Sequence, residues 1–236
     1  ASISQADVNV IVPFANVDTT SVTPIISVDA LAVNLVVGTA TSEVLDVENG
    51  NHAVLTAGGS DTVNLGDGIS YVALDGMATN GDIVTITNFN TADAVDASFE
   101  PSNKDEIDGV VLYNLNADDL RADGGYDMQL VGDGDTIADP YSGLLVFTTE
   151  MDFGGDAAAV IEAAVEGMSG IGNGETLFAI GRDGEDAALV RVEIDAVGEH
   201  TTTQIADIDL QAGGTFDNLG DSLNGFVVNF SLPEAG

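Results

Sequence analysis

Val47-Glu48-Asn49-Gly50-Asn51-His52-Ala53-Val54-Leu55 is followed by Thr56-Ala57-Gly58-Gly59-Ser60-Asp61-Thr62-Val63-Asn64 and then by Leu65-Gly66-Asp67-Gly68-Ile69-Ser70-Tyr71-Val72-Ala73. Set under one another, these lines align Gly50 with Gly59 and Gly68, and Val54 with Val63 and Val72. A nine-residue unit that pairs a glycine turn with a short aliphatic strand is the mark of a parallel β-roll. Glycine permits the left-handed turn, and the aliphatic residue faces the inside of the roll. The repeat predicts a short roll within residues 41–90.

Composition agrees with that shape. The chain has 236 residues, Lys+Arg 4, Asp+Glu 40 and a net charge of −36. With 44% hydrophobic residues it has enough apolar material for a core. An apolar interior inside a very acidic shell follows. Of the acidic residues 28 are Asp and 12 Glu, and Asp favours turns over helices. The fold expected is mainly all-β, a short parallel roll followed by a sandwich-like region with one helix. Three segments are expected: strands over 1–40, the roll over 41–90 and a β-rich region over 91–236.

The same charge excludes several functions. Nucleic acids and anionic lipids are bound by clustered Lys and Arg, and here Lys104, Arg121, Arg182 and Arg191 are scattered. Cysteine is absent, which removes disulfides, thiolate catalysis and cysteine-based metal sites. Self-repulsion at −36 destabilises a compact state. Divalent cations or high external salt would offset it. The apolar run Ala30 to Ala40 is short and broken by Asn34 and Gly38, so no membrane insertion is expected. Ala1-Ser2-Ile3-Ser4-Gln5-Ala6-Asp7 shows neither a basic nor an apolar signal region.

Outside the repeat, Val8, Val10 and Val12, then Ile25-Ile26-Ser27-Val28, then Leu31 to Val37, read as strands. They either complete the sheet of their own domain or pair with a neighbouring molecule. Ala157-Ala158-Ala159-Val160-Ile161-Glu162-Ala163-Ala164-Val165 reads as a helix near 156–168, ended by Gly170, Gly172 and Gly174. Residues 175–180, 187–195 and 205–210 read as hairpin strands. Leu223 to Leu232 reads as an apolar terminal strand.

Gly58-Gly59-Ser60-Asp61-Thr62-Val63 and Leu65-Gly66-Asp67-Gly68 resemble the repeats-in-toxin family, whose unit is G-G-x-G-x-D-x-U-x with U aliphatic. Gly81 to Asn90 with Asp93, Asp96 and Glu106-Ile107-Asp108 is similar to the stretch that follows the repeats in that family's type I secreted members. The resemblance implies calcium held between successive turns by turn carbonyls and the Asp. The ligand position holds Asp61 in one unit but His52 and Ser70 in its neighbours. Units two apart share a side of the roll, so Asp61 is expected to face Glu43. One or two calcium sites, or a roll that has lost its calcium, are the alternatives. Glu43, Gly59, Asp61, Asp67 and Gly68 are the candidate metal residues here.

Other acidic turns have a shape suited to calcium. Gly132-Asp133-Gly134-Asp135-Thr136 with Asp139 alternates Asp with small residues. Arg182-Asp183-Gly184-Glu185-Asp186 offers Asp183 and Asp186 but lies between two strands, so a plain hairpin turn is the alternative. Asp123 to Asp127 is a third such turn. The twelfth position counted from Asp133 is Leu144, which rules out an EF-hand loop.

Catalysis is not expected. His52 falls in a repeat turn and His200 in another, with no nucleophile elbow near either. The absence of tryptophan removes the usual sugar-stacking residue from any glycosidase site. The expectation is an extracellular, calcium-dependent protein, exported by type I secretion as the resemblance implies. It would self-assemble as a homo-polymer into a surface layer or filament, with a cell-surface polysaccharide as a further partner. A monomeric adhesin or ligand-binding module is the alternative, and a halophile's acidic soluble protein a third reading.

Overall fold

Nine-residue units build a coil that repeats every eighteen residues. The computed structural model describes residues 34–68, 70–78, 81–90, 108–113, 127–132, 134–137 and 143–211. Strands β1 (Asn34–Val37), β3 (His52–Leu55) and β5 (Ser70–Asp75) lie in one sheet. Strands β2 (Val44–Asp46), β4 (Thr62–Asn64) and β6 (Val84–Phe89) lie in the other. The chain therefore passes from sheet to sheet at each turn. All these pairs are parallel, with Val36 beside Val54, Val54 beside Val72 and Leu45 beside Val63. The step to β6 is longer, and Val63 pairs with Ile86. β7 (Gly109–Tyr113) adds to the first sheet with Val110 beside Val72.

The interior follows from this register. Leu45, Val54, Val63 and Val72 stack on the inside, all buried, and Val36 packs against them. On β4 and β6 the outward positions that alternate with them, Thr62, Asn64, Thr85 and Thr87, are polar, as the two-residue period of a strand allows. Gly68 sits where the coils touch most closely. A Cβ on it would lie 2.5 Å from the Gly50 carbonyl oxygen, and its φ is +113°. Gly59, at φ +84°, would place a Cβ 2.8 Å from the Ser42 nitrogen. The repeated glycines thus serve close packing as well as turn geometry.

Beyond the coil come β8 (Asp127–Val131), β9 (Gly143–Phe147), α1 (Ala157–Glu166), β10 (Thr176–Asp183), β11 (Asp186–Ile194) and β12 (His200–Leu210). These strands extend the second sheet, whose order is β2-β4-β6-β12-β11-β10-β9-β8. β12 is the joint, antiparallel to β11 and parallel to β6, with Ile208 beside Ile86. Within the expected sandwich-like region, the described layer opposing the outer face of β9, β10 and β11 is a helix. α1 buries Ile161 and Val165 against Leu145, Phe147, Leu177 and Val190. Leu144, Val146, Phe178 and Ile180 point the other way and join the coil's core. Because both faces are covered, Gly143–Phe147 is a continuous buried run.

α1 begins where Asp156 accepts a hydrogen bond from the Ala159 N–H at 3.1 Å, an N-cap. It ends at Gly167, ahead of the three glycines expected to stop it. The hairpin expected at 182–186 forms, with a turn at Gly184–Glu185. His52 and His200 differ from expectation, since each begins a strand instead of lying in a turn. The earlier N-terminal strands and Leu223 to Leu232 lie outside the described residues. No helix among the described residues is long and apolar enough to cross a membrane.

One buried cation ties the two parts together. Arg191 is only 6% exposed. Its Nη1 donates to the carbonyls of Gly76 at 2.8 Å and Ala78 at 3.3 Å, in the turn between β5 and β6. Nη2 lies 3.5 Å from the Glu193 carboxylate.

Candidate functional site

A polar residue stands at or just before the start of each coil strand from β2 to β5: Glu43, His52, Asp61, Ser70. Glu43 and Asp61 share one side, as the alternation of sheets demands. The Glu43 N–H donates to Asp61 Oδ1 at 3.0 Å. Glu43 itself folds back to accept from the Thr39 N–H. Asp61 is 1% exposed, and its Oδ2 has no hydrogen-bond partner among the described residues. Burial pushes its carboxyl above the ordinary value, the Glu43 N–H opposes that, and the Glu43 charge adds to it. A buried, unpartnered carboxylate oxygen beside a second carboxylate is an acceptor-rich, electronegative position.

The other repeat candidates part from this pair. Asp67 is exposed, receives the Asn49 Nδ2–H at 3.3 Å and uses its own N–H on Asn49 Oδ1 at 3.0 Å. It forms an amide–carboxylate ladder one coil apart. Gly59 and Gly68 contribute close packing.

On the opposite side of the coil this series continues into Asp108, a residue the spacing did not single out. Asp108 is 1% exposed. Its Oδ1 accepts from the Ser70 N–H at 2.7 Å and its Oδ2 from the Asn90 N–H at 2.8 Å. Its own N–H reaches the Asn90 carbonyl at 3.1 Å. It joins β5, the end of β6 and the start of β7. Burial raises its carboxyl to about 7 against the pull of those two N–H groups. Asp108 stands 38 residues from Ser70, outside the nine-residue phase, so the repeat could not reveal it.

Of the C-terminal acidic turns, Asp135 closes its own loop by accepting from the Gly132 N–H at 2.7 Å. Asp133 and Asp139 lie outside the described residues. Asp183 accepts from the Phe153 N–H at 3.0 Å. Asp183 and Asp186 line a cleft of about 490 Å³ on the outer face of the second sheet, between the N-terminal end of α1 and strands β6 and β12. Thr85, Thr87, Gln204, Asp207 and Asp209 line it too. Asp186 stands directly across from Asp209. The Asp207 carboxyl is raised by partial burial and by the Asp186 charge, against a hydrogen bond from Gln204 Nε2. Sequence reading found two of these carboxylates. Asp207 and Asp209 lie within 205–210, which the sequence marks only as a hairpin strand.

Among the described residues, no three His, Asp or Glu side chains converge on one cation position. The calcium expectation therefore rests on a mixed donor set, in which the Asp61 and Glu43 carboxylates would be completed by main-chain carbonyls. A hard cation accepts that chemistry, and the unpartnered Asp61 oxygen fits it.

No family model, curated protein or solved structure matches this chain.

Proposed function

We propose that this chain is an extracellular structural protein that responds to calcium and self-associates through β-strand contacts into a layer or filament. The observation that carries the reading is the first coil. β1 and β2 are the edges of the two sheets at the same end of the coil among the described residues. They expose Leu35 at 42%, Val37 at 47% and Val44 at 62%. An edge of this kind, whose outer main-chain groups pair with no strand among the described residues and which carries apolar side chains and no Lys or Pro, is a template for another strand. Calcium would act at the Asp61–Glu43 turn, lowering the repulsion between the two carboxylates and stiffening the coil next to that edge. Type I export follows from the family resemblance of the repeat and belongs to the same proposal.

Light scattering of the full-length chain, with calcium and with excess EGTA, tests this reading. Calcium should raise the melting temperature and produce large species, and Leu35→Lys with Val44→Lys should abolish the large species while leaving the calcium-dependent melting shift. A chain that stays monomeric in calcium removes the assembly reading. An unchanged melting temperature in EGTA removes the calcium reading.

A further inference from the structure

The outer face of the second sheet carries two largely polar columns, of which the assembly reading uses only Val44 at the β2 edge. Thr62, Thr85 and Asp207 stand side by side on β4, β6 and β12, with the apolar Val44 of β2 beside Thr62 at the edge. Asp46, Asn64 and Thr87 form the next column. Their inward neighbours Leu45, Val63, Ile86 and Ile208 are buried, so both columns face outward. Strands in a sheet lie roughly 4.8 Å apart, which makes the face about 14 Å across four strands.

The second column is internally bonded. Asn64 Nδ2 donates to Asp46 Oδ1 at 2.6 Å, and Thr87 Oγ1 donates to Asn64 Oδ1 at 2.9 Å. These bonds hold the amide and hydroxyl groups in fixed orientations. The first column differs, since the Thr62 and Thr85 hydroxyls make no hydrogen bond among the described residues. The columns run into the cleft, where Gln204 bonds to Asp207 and the Asp186 and Asp209 carboxylates have no partner among the described residues.

The geometry points to this strip and its cleft as a binding site for an extended, uncharged polyhydroxylated chain, an oligosaccharide or polysaccharide. The polar groups of the strip and cleft are acceptors or donor–acceptors, matching a ligand that carries hydroxyls along its length, and Phe153, Ala157, Ala187 and Ile208 give the cleft apolar contact beside them. The carboxylates are spread around the cleft instead of converging on a point, which suits several separate donors better than one cation. An anionic polymer would meet only carboxylates as charged groups along the strip and in the cleft. The middle of the strip is neutral Thr and Asn, whereas a basic peptide would call for carboxylates throughout. A polysaccharide is also the further partner expected from the sequence, and the site shares only Val44 with the proposed assembly edge.

Affinity electrophoresis of the full chain in gels containing dextran, laminarin or hydroxyethylcellulose, at constant calcium and high salt, tests it. At least one of these neutral polysaccharides should retard the protein relative to a non-binding reference. Q204A with D207A, and separately T62V with T85V, should each weaken that retardation by about tenfold or more. Glu166→Gln, on the exposed side of α1, should leave it unchanged, and melting curves should show each variant folded. No retardation in any of the three gels overturns the proposal, as does retardation of both double variants equal to that of the parent. A protein that is retarded yet monomeric supports this site while removing the assembly reading. A protein that assembles yet is not retarded overturns this site and leaves assembly standing.

Discussion

The Glu43 N–H donates to Asp61 Oδ1 at 3.0 Å across eighteen residues, one full turn of the coil. The side chain that the nine-residue unit places at the start of a strand thus grips the main chain of the coil before it. Its second oxygen is left buried without a partner, and the Glu43 charge acts on it unfavourably.

Replacing Asp61 separates these effects. Asp61→Ala leaves the Glu43 N–H without its acceptor and should cost about 1–3 kcal/mol in urea denaturation. Asp61→Asn keeps an oxygen for that N–H and removes the like charge, so in EGTA its stability should equal or exceed that of the parent. It should also lose the calcium-dependent rise in melting temperature. An Asn variant that keeps the full calcium response would show that Asp61 is not a ligand.

Asp108 makes stability depend on pH. Its folded value near 7 lies above the ordinary 3.8, so between those values the folded chain holds a proton that the unfolded chain has lost. Its contribution is complete below about pH 4 and is lost as pH rises to about 7, with no further change above. The span is on the order of 4 kcal/mol at most. Chemical denaturation at several pH values should show a shallower slope across this window for Asp108→Asn than for the parent, and parallel slopes would remove the assignment.

Two glycines distinguish backbone strain from close approach. Gly81 has φ +103° with nothing within 4 Å of an added Cβ, whereas Gly68 at φ +113° would drive a Cβ to 2.5 Å from the Gly50 carbonyl oxygen. Gly81→Ala should cost about 1–2 kcal/mol, the left-handed penalty alone. Gly68→Ala should cost more than about 3 kcal/mol, because stacked coils must separate. Equal costs in thermal melts would contradict the register.

Arg191 should matter out of proportion to its single charge. Arg191→Met removes the donors that satisfy the Gly76 and Ala78 carbonyls while keeping the length of the side chain. A loss of about 1–3 kcal/mol is expected. Hydrogen exchange should show faster opening of the β5–β6 turn; protection there equal to the parent's would mean that the turn holds without the guanidinium.

Much of the coil was legible in the residues. The phase shared by Gly50, Gly59 and Gly68 and by Val54, Val63 and Val72 encodes both the turns and the inward column, because a local period repeats the same backbone demand at each unit. The facing of Glu43 and Asp61 followed from that period alone. The helix was legible for the same reason, whereas the choice of Ile161 and Val165 as its buried residues came from packing. His52 was misplaced because a polar residue beside glycine looks like a turn, whereas the stacking of coils buries it at the first position of β3.

The sequence by itself determined a mainly β chain with an eighteen-residue coil and an acidic exterior, since spacing and composition act locally. Only the tertiary structure decided that β12 lies beside β6. That one pairing, between residues more than a hundred positions apart, brings Thr85 and Thr87 of the coil to the cleft where the β11–β12 pairing sets Asp186 across from Asp209. Asp108 is buried by the same kind of long-range closure, between β5 and β6. Such contacts arise from shared burial of apolar faces, a force without direction or period, and so leave no spacing in the chain to read.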